Sequence, residues 1–269
     1  MKVKKTELTM KTKSILPRFL QPNKIDTLER IGRNNDGGYV IDKKNISNSD
    51  VLIGLGMSDD WSFEENFNTI NSVPTYIYDE TVSLKKFLKK CLKYIIRFNK
   101  PKIFIHWFKT SYNYIKFFKG NKFHCKKLVG IDNPPNYVSL TTILNKLKNE
   151  DFSHVYLKID IEGWEYRLLQ DLIANSYILE GLVIEFHDLD LHLDRIEDFI
   201  KKFPLSLVHT HCNNYSPLNA NNIPIAIECT FSCEQTGDQL AMNFPNQFDM
   251  PNNRMIEEYS INFSDNSNI

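Results

Sequence analysis

In VYLKIDIEGWEYRLL (residues 155–169) an apolar run meets four ionisable side chains, Lys158, Asp160, Glu162 and Glu165. The run from Val155 reads as a strand entering a core, and Leu168, Leu169, Leu172 and Ile173 read as the apolar side of a following helix. Unpaired charges are costly inside a core and tolerable where a strand leaves it. The expectation is therefore a strand-turn-helix unit whose exit borders a polar site.

The same alternation repeats on both sides. LEGLVIEFH (179–187) reads as a strand leading into a helix with Ile196, Phe199 and Ile200, and LSLVHTH (205–211) as the next strand. Upstream, SLTTILNKLKN (139–149) spaces Leu140, Ile143, Leu144 and Leu147 as one face of a short helix. SDVLIGLGMSDDWSFEENF (49–67) reads as a buried strand over 51–53, a turn carrying Gly54 and Gly56, and a helix opening near Ser62 with Glu64 and Glu65 in its first turn. VPTYIYDET (73–81) supplies a second strand ending at Asp79, and KKLVGID (126–132) reads as the third. ERIGRNNDGGYVID (29–42) is expected to form a hairpin about Asp36-Gly37-Gly38. Residues 1–30 read as a polar lead-in with a helical piece, and IPIAIECTFS (223–232) as a late antiparallel strand at the end of the sheet. Strands alternating with helices predict an α/β fold, a mostly parallel sheet covered on both faces.

Composition fits one globular domain over 1–269: 42% of the residues are hydrophobic and 25% charged. Five cysteines without CxxC spacing indicate neither a disulfide framework nor a zinc cage, so reduced thiols in a soluble cytoplasmic protein are expected. The basic N-terminal segment lacks a continuous apolar stretch, and no segment has the run of about 18 apolar residues that a membrane span needs. The 33 basic and 33 acidic residues are unevenly placed. Residues 85–127 hold 14 Lys or Arg, no Asp or Glu, and 11 aromatics, and read as a basic helical insertion in the domain. Such a segment suits an anionic sugar or nucleotide, with Lys109 and Lys116 as contacts, or peripheral contact with a membrane surface; a pair of solvated amphipathic helices is the plainer reading.

In open α/β sheets ligands bind beyond the carboxyl ends of the strands. Those ends here are Gly54 and Gly56, Asp79, Asp160 and Glu162, Glu185 and His187, and His209 and His211. Alternation puts Lys158 with Asp160, Glu185 with His187 and His209 with His211 on matching faces, so three adjacent ends are expected to converge on one ligand. Gly54-x-Gly56 permits close backbone approach, with Asp79 placed to accept from ribose hydroxyls, but Asp59 replaces the third glycine of a dinucleotide pattern.

LKIDIEGWEYRLL (157–169) resembles the KIDxEGxE signature of FkbM-type methyltransferases. GRNNDGGYV, IGLGMSDDWSFE, LVIEFHDLD, HTHCNNYSP and IPIAIECTF resemble further blocks of that family, in order. The resemblance implies a Rossmann-like methyltransferase fold and an S-adenosylmethionine-dependent O-methyltransferase acting on a sugar hydroxyl, for surface polysaccharide synthesis. It implies that Gly54, Gly56 and Asp79 hold the cofactor's methionine and ribose, and that Asp160, Glu162 and Glu165 form the signature loop, with Glu162 also at the cofactor. His187 or Asp160 would be the base that takes the hydroxyl proton. Alternatively, a divalent cation on Asp160, Glu185 and His187, or on a late histidine, would acidify that hydroxyl. His211, Asn213 and Asn214 would bind the sugar, a small-molecule or nucleotide-linked substrate, with no nucleic acid involved. His106, His124, His154 and His192 read as structural. Two other classes compete: a metal-dependent glycosyltransferase using Asp188-x-Asp190, and a non-catalytic membrane-surface protein.

Overall fold

The computed structural model describes residues 12–96, 100–234, 236 and 244–265. Its strands are β1 (Lys13–Pro17), β2 (Leu28–Ile31), β3 (Tyr39–Asp42), β4 (Val51–Leu55), β5 (Thr75–Tyr78), β6 (Lys122–Cys125), β7 (Leu128–Val129), β8 (Tyr137–Val138), β9 (Val155–Ile159), β10 (Leu179–Phe186), β11 (Ser206–Cys212), β12 (Ile227–Ser232) and β13 (Ser260–Ser264). The helices are α1 (Lys43–Asn48), α2 (Ser62–Ile70), α3 (Leu84–Ile96), α4 (Pro101–Phe117), α5 (Leu140–Asn149), α6 (Leu169–Ala174) and α7 (Leu189–Lys202).

A seven-stranded sheet runs in the order β11-β12-β10-β9-β4-β5-β6, parallel except for β12. β4, β9 and β10 are buried along their whole length, as their continuous apolar runs require. The two faces of the sheet differ in chemistry. One buries Ile53, Leu55, Leu157, Ile159, Ile184 and Phe186 beneath the apolar sides of α5, α6 and α7. The other packs Leu52, Tyr156 and Val183 under the β2–β3 hairpin, α1 and α2. Toward the carboxyl ends of its strands, that second face turns polar.

Several expectations are met: the hairpin is β2 paired antiparallel with β3, α2 opens at Ser62, and α5 starts from Ser139, whose hydroxyl accepts from the Thr142 amide. Four are corrected. The third sheet strand is β6, inside the segment read as an insertion; 126–132 supplies only β7, a two-residue strand paired with β8 outside the main sheet. β6 (KFHC) is an edge strand and needs no apolar run, which is why it escaped a hydrophobicity reading. Residues 85–127 are thus α3, α4 and β6, the crossover that joins β5 to its neighbour. β12 is antiparallel as expected, but it lies between β10 and β11 and not at the sheet's end. The lead-in, within its described part, forms β1 paired in parallel with β13, followed by a short 3-10 turn at Arg18–Leu20. The helix after the quoted stretch is a 3-10 turn, Glu165–Arg167, with α6 beginning only at Leu169. All five cysteines are free, and no helix among the described residues is long and apolar enough to cross a membrane.

Candidate functional site

β4, β5 and β9 end beside a cavity of about 390 Å3. Gly56, Met57, Ser58 and Asp79 line one side, Asp160, Ile161, Glu162 and Trp164 another, and Leu128 and Val129 add apolar wall. The glycine-bearing turn is held by the acid at the end of β5. Asp79 Oδ2 accepts from the Met57 and Ser58 amides at 3.0 and 3.1 Å, while Oδ1 accepts from the Thr81 amide and hydroxyl at 2.7 and 2.6 Å. Those bonds fill the four acceptor positions of a carboxylate. Asp79 is therefore the turn's internal anchor, and a ribose hydroxyl would reach it only by replacing a present partner such as the Thr81 hydroxyl. The glycines also have internal reasons. A Cβ on Gly54 would lie 2.9 Å from Glu64 Oε1, so that position makes room for a buried acid and does not line the cavity.

The polar face of the sheet starts at Lys158, whose ammonium donates to the Gly56 carbonyl at 3.2 Å and lies 3.8 Å from Glu64. Burial raises the Glu64 carboxyl, and Lys158 counters part of that shift. Next on the same strand face comes Asp160, which accepts from the Tyr39 hydroxyl at 3.1 Å. On the neighbouring strand Glu185 is buried and accepts from the Asn213 amide at 2.7 Å. Burial, then the charges of Asp160 and Glu228, push its carboxyl well above the usual range.

His187 closes this group. Its Nε2 lies 4.0 Å from Asp160, 3.7 Å from Glu185 and 3.5 Å from Glu162. Glu165, fully buried, accepts from the His187 amide at 2.7 Å and the Gly163 amide at 2.9 Å, and its Oε1 lies 3.3 Å from His187 Nδ1. Burial alone would lower this imidazole. The Glu165 hydrogen bond and the charges of Glu185, Glu165 and Asp160 outweigh it and push the pKa up to about 9. His187 is accordingly an imidazolium at neutral pH. The unfolded imidazole titrates near 6.5, so the stabilisation from holding that proton is complete below about pH 6.5 and lost as pH rises through about 9. It amounts to up to about 3 kcal/mol. His187→Asn should flatten the decline in unfolding free energy between pH 6 and 9.5 by that amount in urea titrations. Parallel curves for the two proteins would refute the assignment.

The structure thus brings Asp160, Glu185 and His187 together, with potential ligand atoms within 4.8 Å of one another. It does not bring His211 to them. The reversed strand β12 intervenes, and its Glu228 sits between His211 and Glu185 in register with both. His211 is buried, with Nδ1 3.1 Å from Glu228 and Nε2 3.4 Å from Glu258; burial alone would lower it, and Asp249 and Glu228 raise it well above its ordinary value. Asn252 donates to Glu228 at 2.7 Å, and His209 lies 2.9 Å from Asp249, so the C-terminal segment covers both histidines. Asn214 is buried, donates to the carbonyls of Asn253 and Ile256, and accepts from the Asn253 amide: it clasps that segment. Asn213 holds Glu185 and accepts from the Tyr215 amide. His211, Asn213 and Asn214 are all buried beside the partners just named, with His211 Nε2 left without a hydrogen bond among the described residues.

Asp160 also lines a second cavity of about 100 Å3 with Arg33, Asp36 and Lys158. Arg33, Asp59 and Asp60 continue into a third, about 280 Å3, which reaches His106 and Lys109 on α4. Arg33 is paired with Asp60 at 3.1 Å and His106 with Asp59 at 2.8 Å, and Lys109 is a further exposed cation of that wall. Lys116, two turns further along the helix, does not line it. His124, read as structural, bridges the Tyr114 hydroxyl and the Asp79 carbonyl at 2.6 Å each, and burial lowers its pKa. Asp188 and Asp190 do not converge: Asp188 is exposed and Asp190 accepts from Asn219. Sequence reasoning missed Tyr39, Glu228 and Asn252. All three come from segments distant in sequence, brought to the site by the β2–β3 hairpin, by β12 and by the C-terminal segment.

The strand order itself, with a reversed strand inserted between the fifth and sixth parallel ones, makes this a Rossmann-like methyltransferase fold. No protein-family model and no curated protein matches the sequence. Among solved structures the chain is similar to the fibrillarin pre-rRNA processing protein of Methanococcus jannaschii, at 9% identity and TM-score 0.34 over 70% of this chain and 68% of that one. It is similar to a fibrillarin/Nop5p complex at 9% identity and TM-score 0.35, over 82% and 99% of the two chains. A third is a point mutant of the 16S rRNA (adenine(1408)-N(1))-methyltransferase from Catenulisporales acidiphilia, at 6% identity and TM-score 0.34 over 77% and 100%. These likenesses are loose, and the assignment of the fold rests on the strand order.

Proposed function

We propose that the chain is an S-adenosylmethionine-dependent O-methyltransferase of the FkbM type, acting in the cytoplasm on a hydroxyl of an anionic or nucleotide-linked sugar destined for surface polysaccharide. The observation that carries this reading is the position of Asp160 at the junction of two spaces. One is the cavity at the ends of β4, β5 and β9; the other is the cleft running past Arg33 to Lys109.

The first cavity suits the cofactor. Asp160 and Glu162 complement a sulfonium cation, and Leu128, Val129 and Trp164 offer apolar wall to a flat base. When bound, S-adenosylmethionine supplies an electrophilic methyl group. The residues of this chain have the remaining tasks. Because His187 is already protonated, Asp160 takes the hydroxyl proton, and the Tyr39 hydroxyl holds that carboxylate in place. Glu165 and Glu185 hold the imidazolium, which balances the surrounding acids.

The same three side chains, Asp160, Glu185 and His187, would be the ligands of a divalent cation. Such a cation would have to displace the imidazole proton, so its affinity would rise with pH toward 9. Metal analysis of the purified protein and transfer rates with and without a chelator decide between proton and metal.

Calorimetric titration with S-adenosylmethionine, followed by transfer of a labelled methyl group to a panel of nucleotide sugars, tests the proposal. Failure to bind S-adenosylmethionine would end it. For the acceptor, Lys109→Glu should raise KM for an anionic sugar about tenfold, the scale of one lost charge-assisted contact. Lys116→Glu should leave KM within about twofold, since an exposed charge outside that cleft contributes little. Equal effects of the two would remove the cleft as the acceptor's route.

A further inference from the structure

The crossover helices α3 and α4 have an outer side that nothing among the described residues covers. They pack as an antiparallel pair: Phe87 stacks on Trp107 and meets Tyr114 edge-on, and Cys91 Sγ lies 3.7 Å from Ser111 Oγ. The pair is seated on the body through Trp61, which contacts Phe87 and Phe117. One position after each of these inward residues stands an exposed apolar one. Leu88 and Leu92 follow Phe87 and Cys91; Phe108, Tyr112 and Ile115 follow Trp107, Ser111 and Tyr114. Each step turns a helix by about 100° in the same sense. In an antiparallel pair whose inward stripes face each other, equal turns bring both exposed stripes to the same side. That side shows Leu92 at 58%, Phe108 at 59% and Tyr112 at 63% exposure, with an apolar groove along Leu84, Leu88 and Leu92 edged by Lys126.

Its charge identifies what it meets. Residues 85–127 contain 14 Lys or Arg and no acid, and Lys85, Lys89 and Lys126, which line that groove, are exposed. A second copy of the chain would bring one uncompensated basic face against another, which repels. Apolar side chains set among lysines along one side of a helix pair match a surface that is anionic outside and apolar just beneath. From this we infer that the α3–α4 face docks on an anionic lipid bilayer, with Leu88, Leu92, Phe108, Tyr112 and Ile115 entering the headgroup boundary and the lysines contacting lipid phosphates. The opposite side of α4, with His106, Lys109 and Asn113, faces the cleft near Asp59. Docking would therefore leave that cleft free.

Vesicle flotation with the full chain tests this independently of the methyltransferase reading. Vesicles of phosphatidylcholine with roughly one-third phosphatidylglycerol should capture the protein at least tenfold better than pure phosphatidylcholine, and about 0.5 M salt should weaken capture. A Leu92→Ser/Phe108→Ser double variant should lose at least tenfold, and a Lys85→Glu/Lys89→Glu/Lys126→Glu variant, which reverses the lysines at the groove, at least as much, both keeping wild-type circular dichroism and melting. No preference for anionic vesicles would overturn the inference. So would capture that ignores the apolar substitutions, or a lipid-free dimer that the Leu92→Ser/Phe108→Ser change dissociates.

Discussion

Asp160→Asn should slow methyl transfer by about 10²–10⁴-fold, the usual contribution of a positioned general base. The substitution keeps size and shape, and an amide oxygen still accepts from the Tyr39 hydroxyl, now at 3.1 Å from Asp160. What it removes is the ability to take a proton at the junction of the two cavities. Cofactor affinity should change less, because the cavity's apolar walls and the turn at Met57 and Ser58 are untouched. Single-turnover transfer of a labelled methyl group, with S-adenosylmethionine affinity measured in parallel, separates the effects. A rate within about threefold of wild type would move the base elsewhere, and a neutralised His187 would be the next candidate. Since His187 titrates near 9, that alternative predicts a rate that climbs through pH 9, whereas a carboxylate base predicts a plateau there.

The alternation of strand and helix was legible because β4, β9 and β10 are buried on both sides and carry unbroken apolar runs. The exits of those strands were legible for the same reason: Asp160 and His187 interrupt a pattern that burial otherwise enforces. Lateral order was not. Nothing in IPIAIECTFS says that β12 lies between β10 and β11, yet that insertion keeps His211 from Glu185 and puts Glu228 between them. β6 was missed because an edge strand can be polar. Polar residues near the site were also hard to sort into binders and braces. Asn213, Asn214 and Asp79 look like ligand groups in one dimension, and in three each is occupied by a neighbour: Glu185, the 253–256 main chain, and the Met57-Ser58 turn with Thr81. A side chain's type shows that it needs a partner, and only the fold shows whether it already has one.

Gly56→Ala should be among the most damaging single changes the chain can suffer, about 4 kcal/mol or more. Two independent costs add there. Gly56 has φ +83, a conformation that penalises any Cβ by roughly 1–2 kcal/mol. A Cβ would also stand 1.7 Å from the Asp160 carbonyl oxygen, main chain that cannot rotate away. Relief would require the exits of β4 and β9 to separate. They are tied on both sides of the contact, by the Asp160 amide donating to the Leu55 carbonyl at 2.9 Å and by Lys158 donating to the Gly56 carbonyl at 3.2 Å. Gly120 supplies the control. It too has positive φ, at +65, but nothing lies within 4 Å of its would-be Cβ, so Gly120→Ala should cost only about 1 kcal/mol. Urea unfolding of the two variants measures the difference directly. If they lose similar stability, backbone conformation alone accounts for Gly56. If Gly56→Ala is far worse, and S-adenosylmethionine binding is weakened even in the fraction that stays folded, then the contact between this glycine and the Asp160 carbonyl sets the spacing of the cavity's two walls.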